Sequence, residues 1–425
     1  MTSVLAILEN GPEPYKRPIL ERVLAAARES VPELRALFVR HELTPDSENL
    51  WYRAYFPEED VLICDLRSPK KSALAIQRAL RPREALVGVY TYLEEAVEAA
   101  NAIAHHYRLP AICHGANASQ VRRKDRMRAA VRSALLPHRA PATSTDFVDV
   151  FDVEGVRVFQ PRWATSTRLA EAMTQWEVWR KSGQDAIIKP VAMGSSLGVA
   201  TVPHGSSPEE LSRLWKRAAS VDFAKEYLRM QYAITRDVIL ETLIPHSAEI
   251  SVEALVAEGT VHVIAISRKY VGRRQLVEFE EVAHLVDGAD EDERRRLQCV
   301  LSVIARGLRL WNSAVHAEFL IGDGHITFVE LGARLGGDLI PVAVEDATGN
   351  RFAAQSVAVC LGHGGSSRVG EALHVGIVKC AAGQGTTTLA AGVEAYRPHP
   401  EGPLFLRSAD RKALETSLPL AISWE

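Results

Sequence analysis

Short apolar runs alternate with amphipathic stretches through the first hundred residues. The run over 3–8, Leu34–Val39 and Val61–Asp65 read as strands. Between the first two, Ile19, Val23, Leu24 and Ala27 recur at helical spacing over 18–29, and helical patterns return near 70–80 and 91–107. Such alternation predicts a parallel α/β unit, closed by the short element Leu109–Gly115. No Gly-x-Gly-x-x-Gly follows the first run, so a dinucleotide-binding unit loses its main sequence support.

The pattern then changes. The stretch 122–136 is helical and strongly basic, reads as a solvated face apart from Lys124, and is ended by Pro137 and Pro141. Strands are expected at Val156–Phe159 and Ala186–Lys189. A helix over 166–180 carries Leu169, Met173, Trp176 and Trp179 at core spacing, and another spans about 208–217. Val238–Glu241, Glu249–Val256 and Val261–Ser267, separated by turn residues, predict antiparallel sheet. A helix over 291–308 precedes two strands joined at Gly322-Asp323-Gly324. Segments His374–Lys379 and Leu404–Leu406 read as late strands, and the glycine-rich pieces 362–366 and 381–385 as loops. The expected division is an N-terminal α/β domain (1–115), a linking helix with a lid domain (116–235) and a C-terminal domain (236–425) of α+β type.

Composition narrows the functional classes. With 50 Lys+Arg against 53 Asp+Glu, bulk charge gives no reason to expect nucleic acid as a partner. No stretch is long and apolar enough to span a bilayer, and the first residues lack a cationic leader, which points to the cytoplasm. The five cysteines are scattered without any Cys-x-x-Cys pair, so they are expected as plain thiols.

Chemistry concentrates at two places. Lys189 ends an apolar strand just before the loop Gly194-Ser195-Ser196-Leu197-Gly198, whose composition suits a phosphate-covering loop. It is not a P-loop, because no Gly-Lys-Ser/Thr closes it. Further on, Glu318 and Glu330 flank the Gly322-Asp323-Gly324 turn. If they pair across a hairpin they present two oxygen donors on one sheet face, which suits Mg²⁺. Arg334 follows in a glycine-rich turn, where a guanidinium can meet an anionic substrate. His316 lies two residues before Glu318, on the same strand face, and is a candidate substrate-orienting residue, base or structural histidine. Arg268 and Lys269, after the 261–267 strand, are candidates to reach a γ-phosphate, and His284 to line an acceptor pocket.

Taken in order, these residues resemble the ATP-grasp superfamily, and within it the carboxylate–amine ligases that include bacterial L-amino-acid ligases. The segment Arg123-Lys124-Asp125-Arg126-Met127-Arg128 resembles the family's first ATP-lysine segment and names Lys124; Lys189 matches the second lysine, and Gly194–Gly198 the phosphate-covering loop. The interdomain strand resembles Val238-Ile239-Leu240-Glu241-Thr242-Leu243-Ile244, which implies a hinge backbone reading adenine with Glu241 beside the exocyclic amine. Glu249 before Ser251-Val252-Glu253 is implied as the ribose acceptor, and Glu318 and Glu330 as the metal carboxylates. The chain departs from the pattern at Gly332, which stands where a metal-binding asparagine is common, two residues before Arg334.

The resemblance implies a three-domain fold binding ATP and Mg²⁺ (or Mn²⁺ in its place) between antiparallel sheets. It implies an ADP-forming ligase joining a small-molecule carboxylate, such as an amino acid, to an amine through an acyl phosphate. Arg334 would clamp the carboxylate and meet the oxyanion. A homodimer is expected, with neither membrane nor nucleic acid as partner. A carboxylate-activating enzyme of nucleotide or cofactor biosynthesis, or a non-catalytic ATP-binding regulator, are the alternatives.

Overall fold

The computed structural model describes residues 2–9, 16–42, 51–140, 145–194, 196–220, 236–274, 277–287, 291–364, 373–379, 389–400 and 403–421. Ser195, Cys380, part of the 362–366 loop and all of 381–385 lie outside them.

The first sheet is parallel, in the order β3-β2-β1-β4, from β1 (Thr2–Leu8), β2 (Arg35–His41), β3 (Val61–Cys64) and β4 (Glu84–Thr91). Alternate residues of β1 enter two different cores. Val4, Ala6 and Leu8 pack with the helices Pro69–Ala79 and Val97–His106, whereas Leu5 and Ile7 face the helix Arg17–Ser30. A strand buried on both faces must read as an unbroken apolar run, as this one does.

The other strands follow in chain order: β5 (Val148–Val153), β6 (Val156–Pro161), β7 (Trp163–Ser166), β8 (Ala186–Pro190), β9 (Ala200–Val202), β10 (Val238–Thr242), β11 (Ala248–Ala257), β12 (Thr260–Arg274), β13 (Val277–Asp287), β14 (Ser313–Gly322), β15 (His325–Gly332), β16 (His374–Val378), β17 (Glu394–Tyr396) and β18 (Leu404–Ser408). A small antiparallel sheet, β7-β10-β8-β9, carries the helices Leu169–Lys181 and Pro208–Ala219, with Trp176 and Trp179 in its core as their spacing predicts. A large sheet runs β17-β18-β16-β13-β12-β11-β14-β15-β6-β5. The chain interleaves these two sheets. β5 and β6 extend the large sheet although they fall in the expected lid segment, and β10 joins the small sheet although it falls in the expected third segment.

Helices Lys124–Leu135 and Glu291–Gly307 cover one face of the large sheet through a core that includes Val131, Val300 and Phe328. Helices Ile340–Thr348 and Phe352–Cys360 lie in the core that also receives Leu5 and Ile7 of the first sheet. One hydrophobic core thus binds the N-terminal and C-terminal units, reinforced by Arg22 Nε to Glu345 at 2.7 Å and Tyr90 Oη to Ser356 at 2.7 Å. Among the described residues, no helix is long and apolar enough to cross a membrane.

Candidate active site

β14 and β15 form the expected hairpin, and Glu318 is the register partner of Glu330. A regular strand would put Phe328 and Glu330 on the same face, two residues apart. The register shifts between Glu318/Phe319, so that Phe319 faces Phe328 and Val329 is the extra residue. That bulge lets Phe328 enter the core while Glu330 lines the cleft.

Two lysines approach this hairpin from different elements. Lys124 begins the helix Lys124–Leu135; its Nζ lies 2.9 Å from Glu330 Oε2 and donates to the Met193 carbonyl at 2.6 Å. The backbone N–H of Lys124 also donates to Val191, tying the helix start to the segment after β8. Lys189, on β8, lies 2.7 Å from Glu241 Oε2 on β10. Both lysines line one small cleft of about 120 Å³ together with Glu241, Glu249, Glu318 and Glu330. Its apolar walls, among them Ile187, Val199, Ile244 and Phe328, suit a flat base. This cleft shares Lys124, Met193, Ser196, Glu318 and Glu330 with a second of about 350 Å³, which reaches Arg334 and the N-terminal unit's Glu94 and Glu95. The loop residues Gly194, Ser196 and Leu197 line the larger cleft. Gly198 has φ +70°, and a Cβ there would come 3.1 Å from Pro190, so the loop turns where only glycine is unstrained.

The basic run is solvated only in part: Arg126 is exposed, but other members turn inward. Arg122, Lys124 and Arg128 are buried, and Arg128 donates twice to Glu241, at 2.8 and 3.0 Å, and once to the Phe328 carbonyl at 2.7 Å. Lys124 and Arg128 are one helical turn apart and so share a face. Glu241 therefore has both oxygens engaged by Arg128 and Lys189 while it lines the cleft. Burial would raise its pKa, but the two cations hold it down at about 2. Burial depresses the Lys189 ammonium in spite of Glu241, with Arg128 and Lys124 adding to the effect. In the hinge, Leu243 N–H donates to Asp185 O at 2.9 Å and Leu243 O accepts from Gln184 at 3.0 Å, while Thr242 Oγ1 donates to Phe147 O.

Lys269 is also placed differently from a free phosphate ligand. It is buried with its Nζ 2.6 Å from Glu318, 2.7 Å from Glu281 and 3.0 Å from Glu249. Burial alone would depress this ammonium, yet the three carboxylates lift it well above its ordinary value. With three donors and three carboxylates, Lys269 balances acidic charge. Arg268 does not join it. Successive residues of a strand face opposite ways, and Arg268 Nη2 lies 3.3 Å from Glu293 on the helix beyond the sheet.

His316 Nδ1 is 2.5 Å from Glu253 and Nε2 is 3.3 Å from Glu318. Burial works against its protonation, but Glu253 and then Glu318 raise its pKa to about 10. The two carboxylates favour the protonated ring, an arrangement that suits His316 to orient a group beside Glu318 more than to take a proton. His284 is fully buried. With Glu281 and Asp338 it forms a group whose possible ligand atoms lie within 4.8 Å of one another, but Lys379 Nζ sits 2.9 Å from Glu281 and 2.6 Å from Asp338, where a cation would go. Arg334 Nε pairs with Glu94 at 2.8 Å and Nη1 donates to Leu335 O at 2.7 Å.

Sequence reading missed Glu94, Arg128, Glu253, Glu281 and Lys379. The four-residue step from Lys124 could have found Arg128, and period two from Glu249 to Glu253 could have found the latter. Glu94 had no local signal, because folding alone brings it to Arg334.

Comparison with known proteins agrees with this architecture. Residues 182–342 match an ATP-grasp domain family. The solved structure of an L-amino acid ligase from Bacillus licheniformis is similar at TM-score 0.63 and 19% identity, covering 98% of this chain and 95% of that one. A biotin carboxylase–β,γ-ATP complex from Campylobacter jejuni gives 0.61 at 18%, covering 99% and 91%. A phosphoribosylglycinamide synthetase from Anaerococcus prevotii gives 0.60 at 13%, covering 99% and 98%. No curated protein matches the sequence. The fold is that of the ATP-grasp superfamily, in its three-domain form. These relatives catalyse different reactions, so the fold by itself does not choose among them.

Proposed function

We propose that the chain is an ATP- and Mg²⁺-dependent carboxylate–amine ligase that forms an amide or peptide bond through an acyl phosphate, releasing ADP and phosphate. The amino acid is the favoured carboxylate. The observation that carries this reading is the convergence of Lys124, Lys189, Glu318 and Glu330 on one cleft beneath a glycine loop. The carboxylate pair and its register match an oxygen-ligated cation. Glu318 and Glu330 would hold Mg²⁺, and Lys124 and Lys189 the phosphates, with the base in the apolar slot beside Ile244. When bound, ATP supplies the phosphoryl group and Mg²⁺ offsets charge on its oxygens.

The protein's own groups do the remaining work. Lys269 and His316 keep Glu318 ionised, and the depressed pKa of that buried carboxyl follows from them. Gly194, Ser196 and Leu197 line the cleft where they would keep water from a hydrolysable acyl phosphate. Arg334 presents its remaining donors to the substrate carboxylate and later to the oxyanion. The test is a screen of amino-acid pairs, and of amino acids with simple amines, reading ADP and product mass. ADP release only when both substrates are present is expected. ATP binding without turnover across the screen would favour a regulator, and AMP release would exclude the acyl-phosphate route.

A further inference from the structure

At the place where an asparagine is common in the resembled family, this chain has Gly332. Nothing in its backbone requires glycine, because its φ is outside the left-handed region. Space favours it. A Cβ on Gly332 would lie 2.9 Å from Glu94 Oε2 and 3.3 Å from Arg334 Cζ, so the ends of both paired side chains would have to shift. Glu94 comes from the other end of the chain, in a short 3-10 turn (Glu94–Ala96) just past β4. That turn is fixed by Thr91, whose hydroxyl donates to Leu8 O at 2.9 Å and accepts from Leu93 N–H at 3.0 Å. Glu94 Oε2 is buried, makes no hydrogen bond among the described residues, and forms an ion pair with Arg334 Nε at 2.8 Å.

Donor counting shows what the pairing does. A guanidinium has five N–H hydrogens in one plane. The Glu94 carboxylate forms an ion pair at Nε without accepting its hydrogen, and the Leu335 carbonyl takes one hydrogen from Nη1, so the guanidinium is held from two directions. The four other hydrogens have no hydrogen-bond partner among the described residues, and Arg334 lines the larger cleft. We propose that Glu94 is the positioning residue of Arg334, and that position 332 is glycine because the Glu94 carboxylate occupies the volume a side chain would take. The N-terminal domain thereby sets the angle at which the guanidinium meets a carboxylate. The inference rests on the reading of Arg334 as the carboxylate clamp.

The test is a double-mutant cycle with Glu94→Ala and Gly332→Ala, and two readouts. The first is the Arg334 Nε–H signal in arginine-¹⁵N-labelled protein, assigned by its absence in Arg334→Lys. Both single variants should shift it and speed its exchange with water. The second is kcat/KM for the carboxylate of a pair found by the screen. Each single change should lower it about 10–100-fold, the effect of letting the clamp leave its position, with ATP affinity unchanged. In the Glu94→Ala background, Gly332→Ala should cost less than about twofold more, because the shorter of the two contacts is gone. Full additivity, or an Nε–H signal unmoved by either change, overturns the proposal. If the alanine variants do not fold, Glu94→Gln, which keeps size and removes charge, must shift the signal, and an unmoved signal overturns the proposal equally. If no substrate pair is turned over, the proposed function fails by itself and the Nε–H signal alone decides the positioning of Arg334.

Discussion

Glu241 shows how one residue sustains a site full of cations. Arg128 and Lys189 are both buried beside it, and a buried cation without a partner is strongly unfavourable. Replacing Glu241 by Gln should cost about 3–5 kcal/mol of stability at neutral pH, measured by denaturant unfolding. The pH dependence has a definite sign. The folded pKa of about 2 lies below the ordinary 4.5, so the contribution is complete above 4.5 and is lost as pH falls through about 2. Wild type and Glu241→Gln should therefore converge in stability toward pH 2, and a constant gap between pH 7 and pH 2 would contradict this. Glu330 is a different case. It is part-exposed and, among the described residues, paired only with Lys124. Glu330→Gln should leave the melting temperature near that of wild type and lower Mg²⁺-dependent ADP release by roughly 10²-fold, since an amide is a poorer metal ligand than a carboxylate. Normal release with unaltered Mg²⁺ dependence would remove Glu330 from the metal site. At this scale the sequence showed the residue types. It could not show Arg128 inside, because a run of six basic residues looks identical whether its face meets water or a buried glutamate.

Elements were legible where their two faces differ. The helix Leu169–Lys181 shows its aromatic stripe because its other side is polar, and Trp176 and Trp179 are in the core. Trp176→Ala should cost about 3–5 kcal/mol locally. Hydrogen exchange should then quicken in the small sheet and its two helices while β1 to β4 keep their protection; uniform quickening would mean that the lid is not a separate cooperative unit. Helices Ile340–Thr348 and Phe352–Cys360 escaped the sequence reading because they are buried nearly all round, which erases the 3.6-residue pattern. Strand β13 escaped for the opposite reason. Its acidic Glu278, Glu280 and Glu281 look like loop, yet Glu281 meets Lys269 and Lys379. The bulge at Val329 was invisible too, because the apolar and acidic residues around it fit a regular strand equally well.

The whole molecule joins its ends at the candidate site. The N-terminal sheet and the C-terminal helices share a core, and Glu94 meets Arg334 across that junction. The order of lysines, loop and carboxylates along the sequence sufficed to point to the ATP-grasp fold, because each lies in a locally readable strand or turn. The crossing of β6 and β10 between sheets was not readable, since it depends on which sheet edge is free after folding. Arg334 tests whether this junction serves substrate or nucleotide. Lysine keeps the charge but offers a point-like ammonium in place of a planar fork, and it lacks the Nε that pairs with Glu94. Arg334→Lys should lower kcat/KM for the carboxylate about 10²-fold while ATP affinity changes less than about threefold. Isothermal titration with ATP and separate measurement of amide formation divide the two effects. Lost ATP binding with normal turnover at saturating ATP would move Arg334 into the nucleotide site. If both stay normal, Arg334 is a structural partner of Glu94 and the carboxylate must be held elsewhere in the cleft, with buried Arg122 next to be substituted.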